Sequence, residues 1–550
     1  MMSNDDKILS LLRTYFEPDD YFLVYKRMIG TGCIGGKACG MLLARKIIQT
    51  DNPGAFARME PHDSYYLGSD VFYTYIVHNK FWRLHIHQKT KQGYFKLAPE
   101  LERAFLQGSF PEAIQLQFIR MLEYFGQRPI IVRSSSLQED AFGNAFAGKY
   151  ESVFCINTGT MDERLNELEN AVRTVYASTM NPSALEYRRQ RGLGFKDEQM
   201  ALLIQRVSGS MYEDFLMPNA AGVGYSYSAY KWDNSINASD GMLRLVMGLG
   251  TRAVDRTEGD YPRIVNLSAP DRSTLTASWA KHQYSQRYVD LMDYTTKSLS
   301  SRPLMAVTPH MDNWYKKLVL EHDYDAERTF RERGQHREIL FASCEGLVRN
   351  KEFTDCMKSL LHTLQNAYQY PVDIEFTING NDDGEFVFNL LQCRPLQVGT
   401  RRDAVVVPSL PDEKTVFSVT DASMGGSRAE DIDYVILIDA KAYYEFPYKR
   451  KPDIAHIIGD INQHFRKSKK NLLLFAPGRI GTSSPELGVP VSFAQINHFC
   501  AICEMSDSEA GYMPELSYGS HMFQDLVEAE IFYTALFDNQ KTRLFHKDIF

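Results

Sequence analysis

The chain has 550 residues, a formal net charge of −8 and a pI near 6.0. This length exceeds what one hydrophobic core usually supports and predicts two to four domains. The acidic balance argues against a general nucleic-acid binder, and no apolar run approaches the roughly 20 residues that cross a bilayer. Eight mostly scattered cysteines and the absence of a visible export signal favour a cytoplasmic globular protein without membrane or nucleic-acid partners.

An amphipathic pattern predicts a helix over residues 7–16, and a glycine-rich turn follows it. This turn, Gly35-Gly36-Lys37-Ala38, leads into a second helical pattern at 41–48. The backbone at Gly36, the helix dipole and the Lys37 ammonium could together hold phosphate. The spacing is not that of a Walker A loop, because Ala38 follows the lysine. The alternative is a flexible turn with a solvated lysine.

A second candidate anion site spans residues 129–157. A short buried strand pattern ends on Arg133 and is followed by three serines, the pair Glu139-Asp140 and a loop of small residues at 141–148. An arginine offers a planar fork of donors, and small residues let backbone N–H groups approach phosphate oxygens. A surface turn in which Arg133 pairs with one of the two carboxylates is the alternative.

The middle of the chain carries weaker signals. Residues 161–190 are predicted to be helical, and residues 200–207, which include Gln205, form a buried-strand pattern. A turn with Gly248 and Gly250 could be structural or could approach a ligand. The spacing of His85 and His87 predicts half-exposed strand residues without a functional role.

A helix predicted at 351–369 leads into a predicted β-hairpin at 372–395. Asp373 and Glu375 alternate with apolar residues on its first strand, and Gln392 and Arg394 do so on its second. Two carboxylates and an amide oxygen form a set of hard ligands for Mg²⁺, and the nearby arginine can neutralise phosphate. The alternative is an exposed strand face with a cross-strand pair of glutamate and arginine.

In their order along the chain, these motifs resemble the ATP-grasp nucleotide-binding domain of the phosphoenolpyruvate synthase and pyruvate phosphate dikinase family. That domain carries a G-G-K-G-A-like turn, a V-R-S-S…E-D…F-A-G stretch, a V-Q-x-M-V-like strand, a G-L-G-E-like turn and a D-I-E-W…L-Q-x-R-P hairpin. The counterparts here are residues 35–38, 132–135 with 139–140 and 146–148, 204–207, 248–251, and 373–376 with 391–395. Thr251 stands where the family usually has glutamate, and residues 256–340 have no clear counterpart.

The resemblance implies a role for each matching position. ATP phosphates would be held by Lys37 and Arg133, Mg²⁺ by Glu375 and Gln392, the transferring phosphate by Arg394, and the adenine would lie near Gln205. It also implies an α/β (α+β) fold: an N-terminal ATP-grasp lobe at 1–200, a C-terminal lobe at 201–400 and a small α/β domain at 401–550.

The family's phosphohistidine domain and pyruvate barrel have no clear place here. About 140 residues follow Pro408, fewer than the ~250 of a (β/α)₈ barrel. They predict a strand at 434–438, a helix at 452–465, a strand at 471–475 and an apolar helix at 522–536. Gly519-Ser520-His521, just before that last helix, is similar in miniature to the phosphohistidine motif. His521 is therefore a candidate phospho-acceptor, although a lone histidine is more often structural.

The resulting hypothesis is an ATP- and Mg²⁺-dependent phosphotransferase that passes a phosphoryl or pyrophosphoryl group to an unidentified acceptor. The acceptor could be a small molecule, a histidine-bearing protein partner or the chain's own C-terminal part. Phosphoryl transfer needs charge neutralisation and alignment more than covalent help, which suits the predicted residues. The alternative is a nucleotide-binding sensor that binds ATP without turnover and signals through residues 401–550.

Overall fold

The computed structural model describes residues 1–140, 142, 146, 148–227, 237–254, 260–272, 278–283, 285–396, 410–419, 423–424, 429–466, 468, 470–482, 485–506, 526, 531–536 and 542–546. The chain divides into two compact units. The first unit comprises residues 1–227, 239–254 and 259–396, and the second unit comprises residues 228–238, 255–258 and 397–550. Helices and sheets are mixed throughout, as the sequence predicts.

The first half of the first unit is built on a five-stranded mixed sheet, the first sheet, in the order β1-β2-β5-β3-β4. Its strands are β1 (Met28–Ile29), β2 (Ser64–Leu67), β3 (Ile130–Ser136), β4 (Ser152–Cys155) and β5 (Met200–Arg206). The helices in this half are α1 (Asp6–Tyr15), α2 (Pro18–Lys26), α3 (Gly36–Asp51), α4 (Pro53–Phe56), α5 (Ser69–His78), α6 (Trp82–Gln88), α7 (Ala98–Gln107), α8 (Glu112–Phe125), α9 (Met161–Ser178) and α10 (Pro182–Gln190).

The second half of the first unit is built on another five-stranded sheet, the second sheet, in the order β10-β9-β8-β15-β16, with two smaller sheets beside it. The strands of this half, over all three sheets, are β6 (Ser210–Tyr212), β7 (Phe215–Met217), β8 (Ala220–Tyr225), β9 (Met242–Met247), β10 (Arg263–Asn266), β11 (Tyr288–Asp293), β12 (Ser298–Pro303), β13 (Leu320–His322), β14 (Leu340–Ala342), β15 (Val372–Gly380) and β16 (Phe386–Pro395). Its helices are α11 (Thr251–Val254), α12 (Ser278–Gln283), α13 (Leu304–Val307), α14 (Asn313–Val319), α15 (Tyr324–Glu332), α16 (Glu345–Arg349) and α17 (Lys351–Tyr368).

The hairpin of β15 and β16 is the part of the second sheet that matters for the site. Its antiparallel register places Asp373 opposite Arg394 and Glu375 opposite Gln392. A β-bulge follows, because Phe376 pairs with residue 390 and residue 391 has no partner across the ladder. The predicted hairpin and the shared face of its four polar residues are therefore confirmed.

Helix α3 packs against strands from both sheets of the first unit. It contacts β3 of the first sheet and β16 of the second. The approach to β16 is close, since a Cβ at Gly40 would lie 2.3 Å from the backbone oxygen of Cys393. The start of α3 therefore lies where residues from both sheets can reach it.

The second unit contains a five-stranded sheet in the order β18-β22-β21-β20-β19, in which β19 to β22 run parallel, and a two-stranded pair, β17 with β23. The strands are β17 (Phe417–Val419), β18 (Ser423–Met424), β19 (Tyr434–Leu437), β20 (Leu472–Pro477), β21 (Ala501–Met505), β22 (Phe532–Leu536) and β23 (Thr542–Phe545). The α-helices in the described residues of this unit are α18 (Ala440–Glu445) and α19 (Lys451–Phe465).

Most predicted elements are confirmed, and two are wrong. His85 and His87 lie in α6 rather than in a strand, and the buried residues there, His85 and Gln88, are three positions apart, which is a helical spacing. Residues 532–536 form β22 instead of the end of a helix. A strand inside a parallel sheet is a continuous apolar run, which the sequence alone does not separate from a buried helix.

Candidate functional site

Lys37 lies in the first turn of α3, as the sequence predicts. Its buried Nζ is 3.4 Å from the Oγ of Ser134 and 3.6 Å from a carboxylate oxygen of Glu139. The backbone N–H of Ala38 donates to the Oγ of Ser135 at 3.0 Å, so a serine from β3 satisfies one donor at the start of the helix. The lysine is thus directed toward β3 and is not a solvated surface residue.

The glycines of the turn allow this approach. Gly35 has a φ of 81°, and a Cβ there would lie 1.4 Å from the backbone oxygen of Ser135. A Cβ at Gly36 would lie 1.9 Å from the backbone oxygen of Glu139. Only residues without a side chain let the turn pack this closely on β3. The predicted contact of the Gly36 backbone with phosphate remains a prediction.

Arg133 joins the two sheets. Its Nη2 donates to a carboxylate oxygen of Glu375 and, at 2.8 Å, to the amide oxygen of Gln392. These partners are separated from it by 242 and 259 residues in sequence. Strand β3 continues beyond Arg133 to Ser136, so the arginine lies inside the strand and not at its end as predicted.

Arg394 forms a second pairing on the hairpin. Its Nε donates to both carboxylate oxygens of Asp373, at 2.8 and 3.0 Å, and its Nη1 lies 3.6 Å from a carboxylate oxygen of Asp140. The other oxygen of Asp140 accepts from the Nε2 of Gln392 at 2.9 Å. Hydrogen bonds and ion pairs thus connect the hairpin residues with Arg133 and Asp140. The ion pair of Lys37 with Glu139 is related to them by charge, because the Lys37 ammonium acts on the carboxylates of both Asp140 and Glu375. We call these residues together the site network: Lys37, Arg133, Glu139, Asp140, Asp373, Glu375, Gln392 and Arg394.

Burial and neighbouring charges shift the pKa of three carboxyl groups in the site network. Burial raises the pKa of Glu375, but the surrounding cations, Arg133 first, outweigh this effect and hold the pKa below its usual value. Burial raises the pKa of Asp140 to about 7 and also raises that of Asp373, against the opposing charge of Arg394. Of these three groups, Glu375 stays ionised most readily, which is the state a metal ligand needs.

The residues of the hairpin differ in their fitness to hold Mg²⁺. The oxygens of Glu375 and Gln392 converge on one cationic atom, the Nη2 of Arg133, so both face a position that a cation occupies. Both oxygens of Asp373 instead accept from Arg394. Within the described residues, no group of three or more His, Cys, Asp or Glu side chains is arranged to hold a metal. Magnesium commonly takes one or two protein ligands and completes its shell with phosphates and water, so the pair fits.

Gln205 lies on β5, next in register to Ile131 of β3. Its Nε2 lies 3.4 Å from the Oγ of Ser64 and 3.6 Å from the Sδ of Met41. Its Oε1 is buried and has no hydrogen-bond partner in the described part of the chain. A buried acceptor without a partner leaves hydrogen-bonding capacity for a ligand.

Two other candidates remain, His521 and the turn that follows β9. His521 falls outside the described residues. In the turn after β9, the Oγ1 of Thr251 donates to Asp290 at 2.6 Å and the Nε of Arg252 donates to the same carboxylate at 3.0 Å. This turn is therefore stabilised by hydrogen bonds to Asp290.

Sequence reasoning gave no role to Glu139, Asp140 or Asp70. Glu139 accepts from the Oγ of Ser134 at 2.8 Å besides facing Lys37, and Asp140 adopts a φ of 56° that directs it into the site network. Asp70 accepts from the backbone N–H groups of Thr31 and Gly32, just before the glycine-rich turn, at 3.0 and 2.7 Å. The acidic pair after the three serines was a usable signal for the first two, but nothing local in the sequence points to Asp70.

A comparison with protein-family models identifies the family of the chain. The model described as the pyruvate phosphate dikinase AMP/ATP-binding domain matches residues 31–414, which is more than half of the chain. The chain belongs to this family, and the resemblance noted from the motifs is confirmed. A search of curated proteins finds no match. Among the described residues, no helix has the length and apolar character needed to span a membrane.

Proposed function

We propose that this chain binds ATP with Mg²⁺ at the site network and transfers a phosphoryl or pyrophosphoryl group to an acceptor. The observation that carries the proposal is the convergence of Lys37, Arg133 and Arg394 around Glu375 and Gln392, where the three cationic charges act on the Glu375 carboxylate. These residues come from three separate segments, yet their charges lie close enough to act on one another. The family match, to a domain described as AMP/ATP-binding, supports the same conclusion.

The chemistry follows from the charges. Three cations, Lys37, Arg133 and Arg394, can neutralise phosphate oxygens, and the two arginines offer planar forks of donors that also fix orientation. A bound Mg²⁺, held by Glu375 and Gln392, would neutralise further charge on the phosphates. The acceptor's nucleophilic atom would attack phosphorus as the P–O bond to ADP or to AMP breaks, and the acceptor's proton would pass to solvent.

Labelled ATP tests the proposal. The full chain is incubated with MgCl₂ and either α- or γ-labelled ATP, alone and with fractions of a cell lysate that can supply the acceptor. ADP identifies phosphoryl transfer, AMP identifies pyrophosphoryl transfer, and a labelled band identifies a phosphorylated protein. Lys37→Ala should abolish product, whereas Arg58→Ala, which removes an exposed ion pair with Glu352, should not.

Two results would contradict the proposal in different ways. Binding of ATP without any product, in any fraction, would identify the chain as a nucleotide sensor. Absence of ATP binding in the wild-type chain would contradict both hypotheses, the phosphotransferase and the nucleotide sensor.

A further inference from the structure

The two arginines of the site network pair with other residues of the network. Arg133 donates to Glu375 and Gln392, and Arg394 donates to Asp373. Their side chains are only 9% and 10% exposed, so solvent screens these pairs weakly. A triphosphate entering this site meets arginines that already have carboxylate partners.

The charge balance of the site network does not favour a free triphosphate. It contains three cations and four carboxylates, the latter being Glu139, Asp140, Asp373 and Glu375. Counted formally, three cations against four carboxylates leave no net positive charge to attract a polyanion. A nucleotide must therefore exchange ion pairs instead of simply adding to free cations.

The position of Glu375 shows which exchange is favourable. Its carboxylate and the Gln392 amide oxygen share the Nη2 of Arg133 as their common partner. A divalent cation brought in with the nucleotide can take over both oxygens and so release the guanidinium to a phosphate. A nucleotide without a metal offers Glu375 no substitute partner and would leave a partly buried carboxylate unpaired, which is costly.

We infer that Glu375 is a selectivity residue that pairs with Arg133 until a divalent cation replaces that pairing, so that the site favours metal-bound over free nucleotide. The inference rests on the proposed function of the site and goes beyond it. It assigns Glu375 a role in the metal-free protein, in addition to any role as a metal ligand. Asp373 has the corresponding effect on Arg394, because both of its oxygens accept from that arginine.

The test measures binding of AMP-PNP to the full chain by titration calorimetry, in EDTA and in excess MgCl₂. For the wild type we expect binding about 100-fold weaker in EDTA, since the exchange of pairs then lacks the metal. Glu375→Gln keeps the side-chain shape but removes the charge that pairs with Arg133. Its metal-free binding should be about tenfold tighter than that of the wild type, and its gain from MgCl₂ should shrink.

Two further variants sharpen the measurement. Asp373→Asn should also tighten metal-free binding, by about threefold, while leaving the Glu375 carboxylate for the metal. Glu352→Gln, which removes the partner of Arg58 on an exposed pair, is the matched control and should change neither value. If Glu375→Gln does not fold, Glu375→Asp is measured instead. The aspartate side chain is shorter by one methylene group, so its carboxylate lies farther from Arg133.

The outcomes separate the inference from the proposed function. Metal-free binding by Glu375→Gln that equals or falls below the wild-type value would overturn the inference, since a residue that only binds metal would behave in this way. A wild type that binds AMP-PNP equally well with and without MgCl₂ would also overturn it. Failure of the wild type to bind AMP-PNP under both conditions would instead overturn the proposed function.

Discussion

Two buried groups of charge in the first unit look alike in composition and differ in how completely they are hydrogen bonded. The Arg252 cluster comprises Thr251, Arg252, Asp260, Asp290 and Ser301. Its arginine donates from Nε to Asp290, from Nη1 to Asp260 and from Nη2 to Ser301, so each guanidinium nitrogen has a partner. In the site network, the Nε of Arg133 and the Oδ1 of Asp140 have no hydrogen-bond partner among the described residues.

The sequence separation of the partners differs as well. Arg252 reaches residues 8 to 49 positions away, whereas Arg133 reaches residues 242 and 259 positions away. A saturated group of nearby residues stabilises a local turn. A group that gathers charges from distant segments and keeps unused donors and acceptors is arranged for something that binds.

The largest expected effect tests the structural role of the Arg252 cluster. Arg252→Gln removes the cation that pairs with both Asp260 and Asp290 and should lower the free energy of unfolding by about 3–5 kcal/mol. Chemical denaturation measures this change, with Arg58→Gln on the surface as the control. Nucleotide binding per folded molecule should be unchanged. Loss of nucleotide binding with intact stability would show that the Arg252 cluster belongs to the nucleotide site. It would contradict the difference in role between this cluster and the site network.

The next effect tests the functional role of the site network. Arg133→Gln removes a cation that we assign to phosphate, and should lower the rate of transfer from ATP by about 10²–10³-fold. The formation of labelled ADP or AMP measures this rate. A variant that keeps the wild-type rate would show that Arg133 only joins the two sheets.

A smaller effect tests how the turn approaches β3. Gly35→Ala places a Cβ against the backbone oxygen of Ser135 and requires a positive φ from alanine, at a cost of about 1–3 kcal/mol. Thermal unfolding should show the loss, and ATP affinity should fall because Lys37 moves with the turn. Gly54→Ala is the control, since the nearest atom to its Cβ would be 3.9 Å away. Equal behaviour of the two variants would contradict the close approach.

The smallest effect concerns a buried group that lacks partners but carries no charge. Both ring nitrogens of His85 are buried without a hydrogen bond, and burial, followed by the charges of Lys89 and Arg188, lowers its pKa to about 3. Unfolded histidine has a pKa near 6.5, so only the unfolded chain gains this proton as the pH falls below that value, and stability decreases.

His85→Phe should remove this pH dependence. The stability of the variant relative to the wild type should rise by about 2 kcal/mol between pH 7.5 and pH 5, as measured by denaturation at both pH values. His87→Phe on the exposed side of the same helix should show no such change. An identical pH dependence in wild type and His85→Phe would mean that His85 gains a proton in the folded protein. The expected loss of the pH dependence in His85→Phe would also show that buried nitrogen atoms without hydrogen-bond partners do not by themselves define a ligand site.

Part of this organisation is readable from the sequence. The alternation of Asp373 and Glu375 with apolar residues fixed the face of the hairpin, and the glycines before Lys37 marked the start of α3. Placing Lys37, Arg133 and Glu375 together required the family resemblance, because no local pattern relates residues so far apart. The pairing of Arg133 with Glu375 was not predicted, since the expected alternative joined an arginine and a carboxylate across the hairpin itself.

The errors have physical causes of their own. Two histidines with a spacing of two suggested a strand, yet burial at α6 follows His85 and Gln88. The apolar run ending at residue 536 suggested a helix, yet its last five residues lie between two other strands of a sheet. In both segments tertiary packing, which periodicity does not report, decided the conformation.

The bulge in the hairpin decides which face of the sheet carries Gln392 and Arg394. Residue 391 has no counterpart on β15, and it lies between the segment that carries Gln392 and Arg394 and the segment that pairs normally up to residue 386. If the same residues formed an even ladder beyond Phe376, residue 391 would lie opposite Glu375, and both polar side chains would turn to the opposite surface of the sheet. Every chemical group of the site would still be present in such a protein, and neither of those two would face its partners. The single unpaired residue therefore keeps the polar residues of the two strands on one surface.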